Sequence, residues 1–255
     1  MSTDQRNVLL LPGAVLPAAP AYAPLLSELG PDLDPVLKEL EIYAGDAPPP
    51  DYSLATEVLG ITRAADDAGF ERFHLVGYSA GGASSLAFAL TDPGRILSLA
   101  LLEPAFAGWQ DMSDAERRHM EQFRPLVEQD GPDMMSVFQA LQVAPDVAAV
   151  PPPSGSPPPW MAKRPAGLRA LLRAFFATDL DLGSLRRFDR PVMFALGGRS
   201  HPDYYALMAN RLARTFPDFS LEVFPERHHF DPPHRIEPGR LAASLRALWA
   251  RADPR

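Results

Sequence analysis

The sequence predicts an α/β fold in which a mostly parallel sheet carries helices on both faces. Two observations indicate it. Short apolar runs that suit buried strands alternate with longer segments whose apolar residues recur at helical spacing. In addition, 46% of the 255 residues are hydrophobic and 22% are charged, which is an ordinary balance for a globular chain that can bury a sizeable core.

The strands are predicted from continuous apolar runs bounded by turn residues. In chain order they are residues 8–11, 40–43, 73–76, 96–102, 191–196 and 221–224. The helices predicted between and after them are residues 22–29, 53–68, 80–90, 204–215 and 238–251. Gly30-Pro31 ends the first helix and Gly69 ends the second.

The alternation pauses between residues 105 and 187. Helical segments are predicted there at 114–129, 132–143 and 165–177, and the proline-rich run 151–159 is too stiff and too poor in N–H donors for a helix or a central strand. We therefore expect a core made of residues 1–104 and 188–255, with residues 105–187 inserted as a helical cap. Its apolar side chains pack these helices onto the core or line an adaptable apolar pocket; they are Met112, Met120, Met134, Met135, Met161, Trp109, Trp160, Phe106, Phe123, Phe138, Phe175 and Phe176.

The most specific motif is Gly77-Tyr78-Ser79-Ala80-Gly81-Gly82, between a predicted strand and a predicted helix. A G-x-S-x-G turn at such a junction forces the serine into a strained backbone conformation and exposes its hydroxyl to a substrate carbonyl. The alternative role of Ser79 is that of a helix N-cap. Downstream, His228 and His229 lie between the last strand and the closing helix, and a histidine there has a pKa suited to a general base.

With this order of strand, serine turn, helix and late histidine, the chain resembles a single-domain α/β-hydrolase with a helical cap over nearly its whole length. The resemblance implies that Ser79 is the nucleophile and that a histidine after the last strand is its base. Members of this family usually carry a small residue, the histidine, then an aromatic residue or proline. That spacing selects His229, with His228 in the small-residue position.

The resemblance leaves two positions for the acid that orients the histidine. Many members have aspartate in a Gly-x-x-Asp pattern after the strand predicted at 191–196, but here residues 197–200 read Gly-Gly-Arg-Ser, and Asp203 follows three residues later. Other members place the acid in a Leu-x-Glu-Pro context, which residues 101–104 match. We predict Glu103 as the acid, with Asp203 as the alternative.

Acyl transfer also needs donors for the developing oxyanion. The resemblance implies the backbone N–H of Ala80, directly after the nucleophile, and that of Ala14, in the loop after the first strand. Members commonly read His-Gly-x in this loop, whereas Pro12 replaces the histidine here.

Other classes of site and partner are not expected. The net charge of −8 without a basic stripe argues against nucleic acid, and no apolar run approaches the roughly 20 residues of a membrane-spanning helix. Cysteine is absent, and Pro232-Pro233 stiffens the loop that would have to bring His228, His229, Asp231 and His234 to a metal, so no metal or organic cofactor is expected. His119, among Glu116, Arg117 and Arg118, is predicted to lie on a solvated face.

Prolines interrupt the apolar residues 8–23, so this stretch is a poor secretory signal and the protein is expected in the cytoplasm. The sequence does not predict an oligomeric state. The predicted function is a serine hydrolase of a small, largely apolar carboxylic ester, lactone or thioester, working through an acyl-enzyme. Two alternatives remain open. The same residues could run C–C bond hydrolysis, cofactor-free perhydrolysis or a lyase or cyclisation step, or the chain could be a binding protein whose catalysis has lapsed, as the serine at position 200 suggests.

Overall fold

The centre of the molecule is a six-stranded sheet, seen in a computed structural model that describes residues 5–128, 133–148 and 156–252. The strands are β1 (Arg6–Leu11), β2 (Leu33–Leu37), β3 (Phe73–Tyr78), β4 (Ile96–Leu102), β5 (Val192–Gly197) and β6 (Phe219–Phe224). All neighbouring pairs are parallel, in the order β2-β1-β3-β4-β5-β6. The predicted parallel sheet is confirmed, and the carboxyl ends of all its strands share one edge.

Helices cover both faces of the sheet. They are α1 (Ala18–Leu29), α2 (Leu54–Asp67), α3 (Ala80–Thr91), α4 (Asp114–Glu121), α5 (Arg124–Glu128), α6 (Met134–Ala140), α7 (Arg164–Ala177), α8 (Leu207–Thr215), α9 (Pro233–Ile236) and α10 (Pro238–Ala252). Val8 and Leu10 of β1 pack with side chains of α1 and α10, whereas Leu9 and Leu11 belong to the core that includes α2, α3 and α8. This alternation follows from the two-residue period of a strand. Within the described ranges, no helix combines the length and the apolar character needed to cross a membrane.

The second strand is not where the apolar pattern predicts it. Residues Glu41–Tyr43 form a turn of 3₁₀ helix, and the segment that pairs with β1 is Leu33–Leu37. This strand is at the edge of the sheet, where proline is tolerated because no other described strand pairs with its outer side. Asp34 and Pro35, both exposed, interrupt the apolar run and so conceal the strand from a search for buried strands.

Between β4 and β5 the described residues form α4 to α7 and two 3₁₀ segments, Pro159–Lys163 and Leu182–Arg187, with no strand of the sheet among them. Residues 151–155 of the proline-rich run lie outside the described part of the chain. A buried ion pair joins α4 to α8, with Nε of Arg211 3.1 Å from Oε1 of Glu116. The same guanidinium donates to the carbonyl oxygen of Ala107 at 2.7 Å, so it ties the start of this region to the core.

The solvated position predicted for His119 is wrong, because the side chain is only 1% exposed. Its ring packs against His201 and Tyr204, with centroid distances of 4.1 and 4.9 Å. Neither ring nitrogen has a hydrogen-bond partner among the described residues. Burial and, to a smaller extent, His201 lower the pKa of His119 to about 3. The imidazole is therefore neutral in the folded protein at physiological pH.

The depressed pKa of His119 predicts acid destabilisation. Between about pH 6.5, the pKa of an unfolded histidine, and about pH 3, His119 is protonated in the unfolded chain but neutral in the folded protein. The free energy of unfolding therefore falls as the pH falls through this range. His119 alone is expected to remove about 2 kcal/mol from the free energy of unfolding between pH 7.5 and pH 5.0. Urea unfolding of the wild type and of His119→Phe at both pH values measures this. An equal pH dependence in the two proteins would contradict it.

Candidate active site

Ser79 occupies the sharp turn between β3 and α3, with φ of 52° and ψ of −115°. Non-glycine residues rarely adopt such angles, so the strained conformation predicted from the motif is present. The flanking glycines allow the bend. A Cβ atom on Gly77 would lie 2.4 Å from the carbonyl oxygen of Gly81, and one on Gly81 would lie 2.5 Å from that of Leu11. Backbone therefore approaches the turn too closely for a side chain at either position.

His229 lies beside Ser79, although 150 residues separate the two in the sequence. Nε2 of the imidazole is 2.9 Å from Oγ of Ser79. His229 follows β6, in the loop before α9, and both side chains are buried, at 1% and 5% exposure. At this distance the serine hydroxyl can donate its hydrogen to a neutral imidazole, which is the arrangement that makes a serine nucleophilic.

Glu103 contacts the other nitrogen of the same imidazole. Its Oε2 is 3.0 Å from Nδ1 of His229, and its Oε1 accepts a hydrogen bond from the backbone N–H of Gly197 at 2.7 Å. β4 and β5 are neighbours, so the residue after β4 can reach the end of β5. Glu103 has a positive φ of 46°, a second strained position where a strand ends at this site.

Asp203, the alternative acid, is exposed on the helical turn Pro202–Ala206. No hydrogen bond or ion pair joins it to His229 among the described residues. Its negative charge instead lies near His201, where it partly opposes the burial that lowers the pKa of that histidine. Ser200, at the last position of the Gly-x-x-Asp pattern, is buried, and its hydroxyl has no hydrogen-bond partner within the described part of the chain. The structure thus brings Glu103, and not Asp203, to the histidine.

Two tyrosines that the sequence did not identify hold the imidazole in place. The ring of Tyr205 stacks on His229 with a centroid distance of 4.8 Å and an interplanar angle of 17°, and its hydroxyl donates to Oε1 of Gln142 at 2.9 Å. The hydroxyl of Tyr78 donates to the backbone carbonyl of His229. Burial, helped by the charge of Glu103, raises the pKa of both phenols well above their usual range. Both therefore stay protonated donors.

The loop after β1 packs directly on the serine turn. A Cβ atom on Gly13 would lie 3.2 Å from the Cβ of Ser79, and the N–H of Gly81 donates to the carbonyl oxygen of Pro12 at 3.0 Å. Ala14, the next residue, has its carbonyl held by the hydroxyl of Tyr43 at 2.7 Å. Ala80 begins α3 immediately after the serine. Both residues expected to supply oxyanion donors therefore lie close to Ser79.

Two small cavities meet at Ser79 and Ala14. The first, of about 70 Å³, also contacts His229, His234 and Arg235. The second, of about 20 Å³, is lined mostly by apolar side chains, including Met120, Phe123, Phe138, Leu171 and Phe175. These five belong to the region between β4 and β5. Among the described residues, no group of three or more histidine, aspartate and glutamate side chains is arranged to hold a metal ion.

Comparison with known proteins agrees with this architecture. A model of the alpha/beta hydrolase fold matches residues 44–232. No curated protein was found to match the chain. Solved structures similar to it include a thermophilic esterase from Thermogutta terrifontis, with 18% identity, a TM-score of 0.70, and coverage of 98% of this chain and 91% of that one.

Two further structures are similar at 17% identity, each with a TM-score of 0.61. One is naproxen esterase from Bacillus subtilis, where the match covers 96% of this chain and 83% of that one. The other is 2-hydroxy-6-oxo-6-phenylhexa-2,4-dienoate hydrolase from a Rhodococcus strain, with 98% and 91% covered. At such identities the similarity demonstrates a common fold.

Proposed function

Because the chain belongs to the alpha/beta hydrolase fold family, we propose that it is a serine hydrolase that cleaves a small, largely apolar carboxylic ester, lactone or thioester. One observation carries the proposal: Oγ of Ser79, the imidazole of His229 and the carboxylate of Glu103 form a continuous series of contacts at 2.9 and 3.0 Å. A nucleophile, a base and an orienting acid in this geometry suit acyl transfer.

The proposed reaction has two halves. In the first, Oγ of Ser79 attacks the substrate carbonyl carbon while its proton passes to Nε2 of His229. The bond to the leaving group then breaks, and the imidazolium returns that proton to the departing oxygen or sulfur. In the second half, His229 takes a proton from water, the resulting hydroxide attacks the acyl group, and Oγ regains a proton as the acid leaves.

Glu103 and two backbone amides stabilise charge in this scheme. Glu103 accepts Nδ1–H of His229, which leaves Nε2 free to accept the serine proton and stabilises the imidazolium that forms. The N–H groups of Ala80 and Ala14 are proposed as donors to the oxyanion, since both residues lie against Ser79. No step in the scheme requires a metal or an organic cofactor.

We also propose that residues 105–187 act as a cap over a core of residues 1–104 and 188–255. The support is that this region supplies most of the second cavity beside Ser79. A mainly apolar wall suits an apolar acyl group, because burying apolar surface favours binding.

A partitioning experiment tests the acyl-enzyme. Aryl and alkyl esters that share one acyl group are hydrolysed in the presence of methanol, and the ratio of acid to methyl ester among the products is measured by chromatography. If every leaving group passes through one acyl-Ser79 intermediate, that ratio is the same for all of them. A ratio that changes with the leaving group would mean that water attacks the substrate directly, and the proposed mechanism would fail.

The contact between Glu103 and His229 bears on the alternatives. The hypothesis of a binding protein with lapsed catalysis rests on the serine at position 200. His229 nevertheless has a carboxylate partner, Glu103, although no aspartate stands at that position. Non-ester reactions use the same residues. They would be favoured if a broad ester panel showed no turnover while Ser79 still reacted with a fluorophosphonate.

A further inference from the structure

The two cavities beside Ser79 differ in chemistry, and the position of His229 assigns them to different halves of a substrate. A leaving group has to sit next to the imidazole that protonates it. His229 lines the first cavity but not the second, so the first cavity receives the leaving group and the second receives the acyl group. What lines the first cavity therefore determines which leaving groups are preferred.

Arg235 contributes a positive charge to the first cavity. Its side chain is exposed, and no ion pair joins it to any described residue. The two carboxylates nearest to it in the sequence are engaged elsewhere, because Arg227 binds Asp231 and Glu237, each at 2.9 Å. The charge of Arg235 nevertheless reaches the cavity wall, because the pKa of His234, lowered mainly by burial, is lowered further by Arg235. A cation without a partner at the side of a site is free to bind an anion.

His234 lines the same cavity and has unused hydrogen-bonding capacity. The side chain is wholly buried between the rings of Tyr22 and Tyr78, with centroid distances of 5.0 and 4.7 Å. Neither ring nitrogen has a hydrogen-bond partner among the described residues. Burial, with smaller effects of Arg235 and His229, lowers the pKa of His234 to about 3. At neutral pH the ring is uncharged, with one N–H donor and one acceptor nitrogen.

We propose that the leaving group of the substrate carries a carboxylate, which Arg235 binds as an ion pair in the cavity that His229 and His234 also line. The substrate would then be an ester of an apolar acid with a carboxylated phenol or alcohol. This inference rests on the proposed function for the assignment of the two halves. It deepens that function, because ester hydrolysis by Ser79 and His229 does not itself require a charged leaving group.

A matched pair of esters tests the proposal. 4-(Butanoyloxy)benzoate and its methyl ester share the acyl group and the reacting phenolic oxygen, and only the first carries a negative charge. Because the two leaving groups also differ in intrinsic reactivity, the readout is the ratio of the two kcat/KM values, compared between the wild type and each variant. Arg235→Gln is expected to lower kcat/KM for the carboxylate about 10-fold, the low end for a charge-assisted hydrogen bond at an exposed group, and to leave the neutral ester within about twofold.

A control variant completes this experiment. Arg214→Gln is the matched control, because Arg214 is also exposed, has no ion pair with a described residue and lines neither cavity. It should change neither ester. If the ratio of the two kcat/KM values is the same in the wild type and in Arg235→Gln, the proposal is overturned.

A binding measurement separates failure of this proposal from failure of the proposed function. The Ser79→Ala protein is titrated with 4-hydroxybenzoate, the product that would leave the first cavity, and the heat of binding is recorded. Adding Arg235→Gln should raise Kd about 10-fold, and methyl 4-hydroxybenzoate should bind the two proteins equally. This readout needs no turnover. An unchanged Kd, or no binding of 4-hydroxybenzoate, would overturn the inference about the leaving group even if both esters were hydrolysed. If binding depended on Arg235 but neither ester were hydrolysed, the result would count against the hydrolase mechanism alone.

Discussion

Ser79→Ala and His229→Gln are each expected to lower kcat for ester hydrolysis by about 10⁴- to 10⁶-fold. The serine variant removes the atom that forms the acyl-enzyme. The histidine variant leaves the hydroxyl in place but removes the base 2.9 Å from it, so that the serine attacks at its ordinary, weak nucleophilicity. The measurement is steady-state hydrolysis of an activated aryl ester, with far-UV circular dichroism to verify that each variant is folded.

The double variant sharpens this prediction. When two residues act in the same step, removing the second has little further effect on kcat once the first is gone. The double variant Ser79→Ala/His229→Gln should therefore be about as slow as either single variant. Additive losses would mean that the two side chains contribute to separate steps. Retention of most of the wild-type kcat by Ser79→Ala would show that another group carries the reaction.

Glu103→Gln is expected to lower kcat by about 10²- to 10⁴-fold with little change in KM. The amide has nearly the same shape, and its oxygen can still accept the hydrogen bond from the N–H of Gly197. Its NH₂ group would then face Nδ1 of His229, which places the imidazole proton on Nε2 and blocks acceptance of the serine proton. The compensating charge for the imidazolium is lost as well.

Asp203→Asn is the control for Glu103→Gln. Asp203 is exposed and does not contact His229, so this variant should retain nearly the full wild-type kcat. Measuring both variants on the same ester, at the same pH, separates the two acids that the sequence left open. A large loss in Asp203→Asn together with a small loss in Glu103→Gln would reverse the assignment.

The serine turn and the histidine were predictable because local rules determine them. Gly77 and Gly81 are required by backbone contacts within or near the turn, and these requirements leave a short, recognisable pattern. The position after the last strand indicates His228 or His229, and the spacing usual in α/β-hydrolases selects His229. The sequence alone does not decide between Glu103 and Asp203, since the choice depends on which strand ends are neighbours in the sheet. That order, β4 beside β5, is a property of the tertiary structure.

The wrong predictions share one physical cause, which is that long-range partners override local composition. The charged residues around His119 indicated a solvated helix, yet Glu116 is neutralised by Arg211, 95 residues away, and the helix is buried at that point. Similarly, Leu33–Leu37 contains an aspartate and a proline and forms a strand because β1 offers a pairing edge. Tyr205 could not be found at all, since no local pattern marks a ring that will stack on a distant histidine.

The central claim is that Ser79 is a nucleophile activated by His229, and labelling measures it most directly. The wild type and His229→Gln are each treated with a fluorophosphonate ester. Mass spectrometry identifies the modified peptide and measures the rate at which the adduct forms. We expect one adduct, on Ser79, formed rapidly in the wild type and at least about 10³-fold more slowly in His229→Gln. A wild-type protein that remains unlabelled at Ser79, or one that is labelled equally fast without His229, would contradict the account.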